Sequence, residues 1–229
     1  MRKHFYNEDY FKVIDSEDKA YWLGFISADG SVSKDAYHIR ISLSSIDIKH
    51  LEKFLACINA NDVAIFIQHM TEGFSATKNG GSDIATINLT SMKMWNDLHQ
   101  YNINHNKSYN IELPNIDDKM MPHYLRGFID GDGSYHYHYD TKNNRYRYSF
   151  EIVGASQLMM KQIQEYFKLN GIKTNIYSRL NKNSKHESFR LMTGSRTEML
   201  KIIDLIYADA HIYLDRKHEK INKIKNIAV

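Results

Sequence analysis

The chain has 229 residues, 42% of them hydrophobic and 25% charged, and its 30 Lys and Arg against 27 Asp and Glu leave a net charge of only +3. That balance excludes a strongly cationic packaging protein, and no apolar run approaches the roughly 18 residues of a membrane-spanning helix. The single cysteine, Cys57, excludes an internal disulfide or a thiolate zinc site, and no apolar stretch follows the N-terminus, so the expectation is an intracellular protein of a reducing compartment (cytoplasm or organelle matrix).

In chain order, Ser16 with Glu17 and Asp18 reads as the start of a helix that ends at Asp29-Gly30. Its core is Tyr21-Trp22-Leu23-Gly24-Phe25-Ile26-Ser27-Ala28-Asp29-Gly30-Ser31. Period-2 alternation over residues 33–43 predicts a hairpin turning at Lys34-Asp35. A helix is predicted over 46–58, strands over 63–68 and 84–89 around a polar loop, and a helix over 91–101. The only prolines, Pro114 and Pro122, mark a linker. Pro122 also suits the first turn of a second helix, which carries Tyr124-Leu125-Arg126-Gly127-Phe128-Ile129-Asp130-Gly131-Asp132-Gly133-Ser134. A hairpin over 135–153 turning at Asn143-Asn144 follows, then a helix over 157–169 stopped by Asn170-Gly171, strands over 174–180 and 188–192, and a helix over 197–207.

The two eleven-residue segments lie 103 residues apart and agree at seven positions. Helix, two strands, helix, two strands, helix occurs twice, which makes the chain a tandem duplication with units at 1–114 and 115–229. The fold class expected is α+β, two αββαββα units with antiparallel sheets related by a pseudo-twofold axis. Gly24 with Ala28 and Gly127 with Gly131 give each repeated helix a stripe almost without side chains. Glycine inside a helix costs about 0.5–1 kcal/mol relative to alanine, so such a stripe calls for a closely approaching backbone, and each stripe is the natural partner of the other. Gly30 and Gly133 are expected to take the left-handed conformation of a helix end.

Asp29 and Asp132 sit where the helix dipole is negative and a carboxylate is disfavoured unless a cation compensates. Parallel packing would bring both to one end of the seam, where they repel and titrate high. A hard divalent cation such as Mg²⁺, with Mn²⁺ or Ca²⁺ able to take the same place, resolves the repulsion and suits phosphodiester hydrolysis. A lone Asp-Gly at a helix end is ordinary turn chemistry. Two copies behind small-residue stripes are not.

The segments 23–30 and 125–133 resemble the two motifs of LAGLIDADG homing endonucleases, and the resemblance extends over the whole chain. It implies saddle-shaped sheets straddling duplex DNA and site-specific cleavage of both strands by a monomer without an obligate protein partner. It further implies that Asp29 and Asp132 bind metal, with the backbone at Ala28 and Gly131 beside it. The family usually carries a lysine after the last helix of each unit. Lys107, 78 residues after Asp29, and Arg216 or Lys217, 84 and 85 residues after Asp132, are similar. A cation there would stabilise charge building on the scissile phosphate as water attacks phosphorus. The alternating hairpins put Lys34, His38 and Arg40 in one unit and His136, His138, Arg145 and Arg147 in the other where a major groove would be read. Arg179, Arg190 and the loop residues Lys78, Lys182 and Lys185 join that DNA-binding set.

The sequence departs from the family at Ser27, where a second acid is common and where Asp130 keeps it. Ser44 and Gly154 leave no water-positioning group to assign. An RNA-splicing maturase or a DNA-binding regulator that lost cleavage is the alternative, and a structural duplicate with mere turns is the bland one. With Met1 first and Ile227-Ala228-Val229 last, the chain reads as free-standing rather than an intein.

Overall fold

The computed structural model describes residues 5–69, 83–180 and 187–227, so Lys78, Lys182 and Lys185 lie outside the described residues. In the first half α1 (Glu17–Asp29) leads directly into β1 (Gly30–Val32) and β2 (His38–Ser44). A 3₁₀ turn (Ser45–Asp47) and α2 (Ile48–Cys57) follow, then β3 (Phe66–Gln68), β4 (Ile84–Thr90), α3 (Met92–Gln100) and the short α4 (Lys107–Asn110). The second half runs α5 (Met121–Asp132), β5 (Gly133–Asp140), β6 (Arg145–Gly154), α6 (Gln157–Leu169), β7 (Asn175–Leu180), β8 (Glu187–Thr193), α7 (Arg196–Tyr207) and α8 (Asp215–Lys225). The sequence reading had no helix at 215–225.

Each half holds one four-stranded antiparallel sheet, ordered β1-β2-β4-β3 and β5-β6-β8-β7. Alternation decides which face is buried. Ile39, Ile41, Ala85, Ile87 and Leu89 point inward in one sheet, and Tyr135, Phe150, Ile152, Phe189 and Leu191 in the other. These inner faces pack on the helices and leave the opposite faces open. Among the described residues no helix is long and apolar enough to cross a membrane.

The centre of the molecule is α1 against α5. Residues 20–27 of α1 are buried without a break, so the helix is surrounded and lacks a polar face. The helices run parallel at backbone contact. A Cβ on Gly24 would stand 1.9 Å from the Tyr124 carbonyl oxygen, and one on Gly127 would stand 1.9 Å from that of Tyr21. Further along, a Cβ on Gly131 would meet the Ala28 Cβ at 2.4 Å.

The glycines that end these helices are not left-handed. Gly30 (φ −74°, ψ 155°) and Gly133 (φ −84°, ψ 161°) are extended and begin β1 and β5. Their requirement is steric: a side chain would collide at 2.6 Å with Ile26 and Ile129 of the preceding turn.

Candidate metal and nucleic-acid site

Because α1 and α5 are parallel, Asp29 and Asp132 emerge at the same end of the seam. The missing side chain at 131 matters here, since a Cβ there would press on an Asp29 oxygen at 3.3 Å. Both residues are open to solvent, yet protein surrounds much of each carboxylate. Burial, then the charge of Asp29, pushes Asp132 up to about 6, against the pull of Lys107 and Lys217. Asp29 is raised too, mainly by burial and further by Asp47, with the same two lysines opposing. Among the described residues neither carboxylate has a hydrogen-bond or ion-pair partner in the protein. Two converging, unpartnered carboxylates form an all-oxygen donor set that fits a hard divalent cation. No group of three or more His, Cys, Asp or Glu among the described residues could hold a metal, so remaining ligands would have to be water or phosphate oxygens.

Each helix end is closed by a buried lysine from its own half. Lys107 Nζ, on α4, donates to the carbonyls of Ser27 (2.7 Å) and Ala28 (2.8 Å). Lys217 Nζ, on α8, donates to Ile129 (2.8 Å), Asp130 (2.5 Å), Gly131 (3.2 Å) and Gly133 (2.5 Å). Most of these carbonyls belong to the last turn of a helix, where acceptors go unpaired, and an ammonium group also offsets the dipole there; that of Ile129 accepts from the Gly133 N–H as well. Burial draws both lysines below the ordinary value, while Asp132 and Asp29 pull Lys107 back up and Asp130, then Asp29 and Asp132, pull Lys217. Lys107 also lines a cleft of about 250 Å³ with Ser108, Asp132 and Gly154. Arg216 goes elsewhere: it bonds Asp47 of the other half at 2.9 Å, leaving Lys217 as the counterpart of Lys107.

The halves differ one turn earlier. Ser27 Oγ donates to the Leu23 carbonyl at 2.8 Å. The equivalent Asp130 is fully buried and accepts from Tyr21 Oη of the first half (2.8 Å), Tyr207 Oη (2.5 Å) and the Leu214 N–H (2.8 Å). With its proton on Asp130, Tyr21 accepts from His50 Nε2 at 2.9 Å, and burial holds that imidazole neutral by lowering its pKa to about 3. Leu23 likewise has Arg126 as its equivalent. That buried guanidinium binds Glu17 at 2.6 Å across the halves and the carbonyls of Ile206 and Ile212.

The open sheet faces carry most of the expected DNA-binding residues. Lys34 lies in the exposed loop between β1 and β2. On the first sheet His38 pairs with Thr90 (2.9 Å), Arg40 with Asn88 (2.8 Å) and Ser42 with Thr86 (2.9 Å), a row of cross-strand side-chain bonds. Register puts His136, His138, Arg145, Arg147, Arg179 and Arg190 on one face of the second sheet. Asp140 holds Arg147 at 3.0 Å and Glu151 holds Arg190 at 3.3 Å, while Arg145 and Arg179 have no side-chain partner among the described residues.

Residues 125–228 match the family model for LAGLIDADG endonucleases, and the repeat carries the same helix into the first half. The chain resembles the LAGLIDADG endonucleases. No curated protein sequence matches it. Solved LAGLIDADG structures share the fold across both halves. I-SmaMI bound to uncleaveable DNA is 13% identical with a TM-score of 0.56, over 90% of this chain and 88% of that one. I-GzeII in complex with its DNA target is 14% identical with a TM-score of 0.53, over 91% and 98%. I-DmoI with its nicked target DNA in the presence of manganese is 15% identical with a TM-score of 0.50, over 90% and 99%. The motif acids, the small-residue seam and Lys107 are legible in the sequence, whereas Arg216 and Lys217 stand there as alternatives that the structure separates. Asp47, Glu17, Arg126 and the bonds to Asp130 are not legible there, because each partner lies far away in the chain.

Proposed function

We propose that this LAGLIDADG-like protein is a monomeric, divalent-metal-dependent endonuclease that cuts both strands of a specific DNA duplex site, its units meeting near residue 114. The observation that carries this reading is the pair of unpartnered carboxylates at one end of the α1–α5 seam, each beside a buried lysine. Asp29 and Asp132 would hold Mg²⁺ or Mn²⁺, which when bound would lower the pKa of a water and offset phosphate charge. Lys107 and Lys217 keep the helix ends in place and add positive potential where the attacked phosphate becomes more negative. Arg145, Arg179 and the histidines of β5 supply backbone contacts, and the paired row on the first sheet supplies fixed donors and acceptors for base edges.

Selection for cleavage from a randomised duplex library with Mg²⁺ tests the proposal. Recovered ends should share one long site and disappear with Asp29→Asn and with Asp132→Asn. Specific capture without cutting by the unsubstituted protein would contradict it.

A further inference from the structure

The lysines at the two helix ends are held by different means. Lys107 sits on a four-residue helix, and the motif position facing that segment, Ser27, meets Lys107 only through its backbone carbonyl, its hydroxyl donating to Leu23 of its own helix. Lys217 sits one turn into the eleven-residue α8, whose N-cap is Leu214. The Leu214 carbonyl accepts from Lys217 and His218 at 3.0 Å each and so starts the helix, while its N–H donates to Asp130. One carboxylate oxygen of Asp130 therefore ties the N-cap residue of α8 and Tyr21 of the opposite half to the same point, and the other oxygen takes Tyr207. Three donors to one fully buried carboxylate make a fixed anchor, because displacing any of them leaves a buried charge short of a partner.

We infer that Asp130 is a positioning residue for one of the two cleavage events: by fixing where α8 begins, it sets Lys217 beneath the end of α5. It does not touch the reacting atoms. Ser27 has no such role toward Lys107, so only one half depends on its motif acid in this way. This inference rests on the endonuclease reading.

The test is strand-resolved cleavage, with each strand of the recovered duplex labelled separately, together with amide exchange on DNA-free protein. Asp130→Leu removes the acceptors and should slow one strand at least tenfold more than the other, the same strand that Lys217→Met slows. Asp130→Asn keeps an oxygen for Leu214 and Tyr21 and can donate to Tyr207 Oη, so it should restore the strand balance. Leu214→Pro removes the N–H, together with a buried leucine side chain whose loss Leu214→Ala measures separately, at a residue whose φ of −77° suits proline, and should reproduce the imbalance, beyond any seen in Leu214→Ala, if the Asp130→Leu variant does not fold. Exchange over 215–219 should rise at least tenfold in Asp130→Leu or Leu214→Pro, with 104–110 unchanged.

Equal slowing of both strands would overturn the inference, as would slowing of the strand that Lys107→Met affects, or unchanged exchange over 215–219. If the unsubstituted protein cuts no duplex, the endonuclease reading falls, and exchange alone still decides whether Asp130 fixes α8.

Discussion

The first half brings its lysine to the helix end on a short turn of chain, with serine at the motif's second acidic position and leucine where the other half has arginine. The second half brings its lysine on a long terminal helix and backs it with a buried Asp130 and a buried Arg126. The backbone at the seam is nearly symmetric, since Gly24 and Gly127 meet the opposite helix at matching carbonyls and equal distances. Duplication thus preserved what two helices at contact distance require. The surrounding polar groups differ because the neighbours they bond do.

The largest effect should fall where the halves are alike. Asp29→Asn and Asp132→Asn should each lower cleavage of both strands on the order of 10²–10³-fold in single-turnover assays, since both carboxylates serve one site. A loss confined to one strand would show two independent sites. Gly24→Ala and Gly127→Ala should each cost about 3 kcal/mol or more in urea unfolding, because the added carbon meets backbone that cannot yield.

Substitution at equivalent positions separates the halves. Arg126→Met should cost about 3 kcal/mol by leaving Glu17 without its buried partner, whereas Leu23→Met should cost less than about 1.5 kcal/mol. Similar losses would mean that the Arg126–Glu17 pair contributes little to holding the halves together.

The pH dependence of metal-free stability has a definite sign. Asp132 takes up its proton near pH 6 in the folded protein but near the ordinary aspartate value when unfolded. Above pH 6 the folded state carries a charge it disfavours, and that penalty fades as pH falls below 6. Asp132→Asn should therefore melt higher than the unsubstituted protein at pH 8, and the gap should narrow as pH falls below 6 and close only at about pH 4 and below, where the unfolded aspartate is protonated too. The smallest effect belongs to Ser27→Ala, about 0.5–1.5 kcal/mol for one hydrogen bond, with no change in strand balance.

Much of this was legible in the sequence because it rests on local periodicity and repetition. Alternation located the strands, glycine spacing located the seam, and the repeated Asp-Gly-Ser located the carboxylates. The conformation of Gly30 and Gly133 was misread, since an extended glycine under a preceding isoleucine looks in sequence like any helix stop. The α8 helix escaped because 215–225 is strongly polar, with Lys217, Ile221 and Ile224 alone forming its buried side. The pairing of Arg216 with Asp47 joins residues 169 apart, and only the docking of the halves brings them together.

The central claim, that the two motif carboxylates form one metal site, is tested most directly by affinity cleavage. Fe²⁺ would replace Mg²⁺ in the presence of a random duplex pool, with ascorbate and peroxide generating radicals at the bound ion. The account predicts chain scission at two places only, around residues 28–31 and 131–134, both lost on Asp29→Asn alone and on Asp132→Asn alone. Scission at one motif, or persistence of one cluster after the other carboxylate is removed, would contradict it.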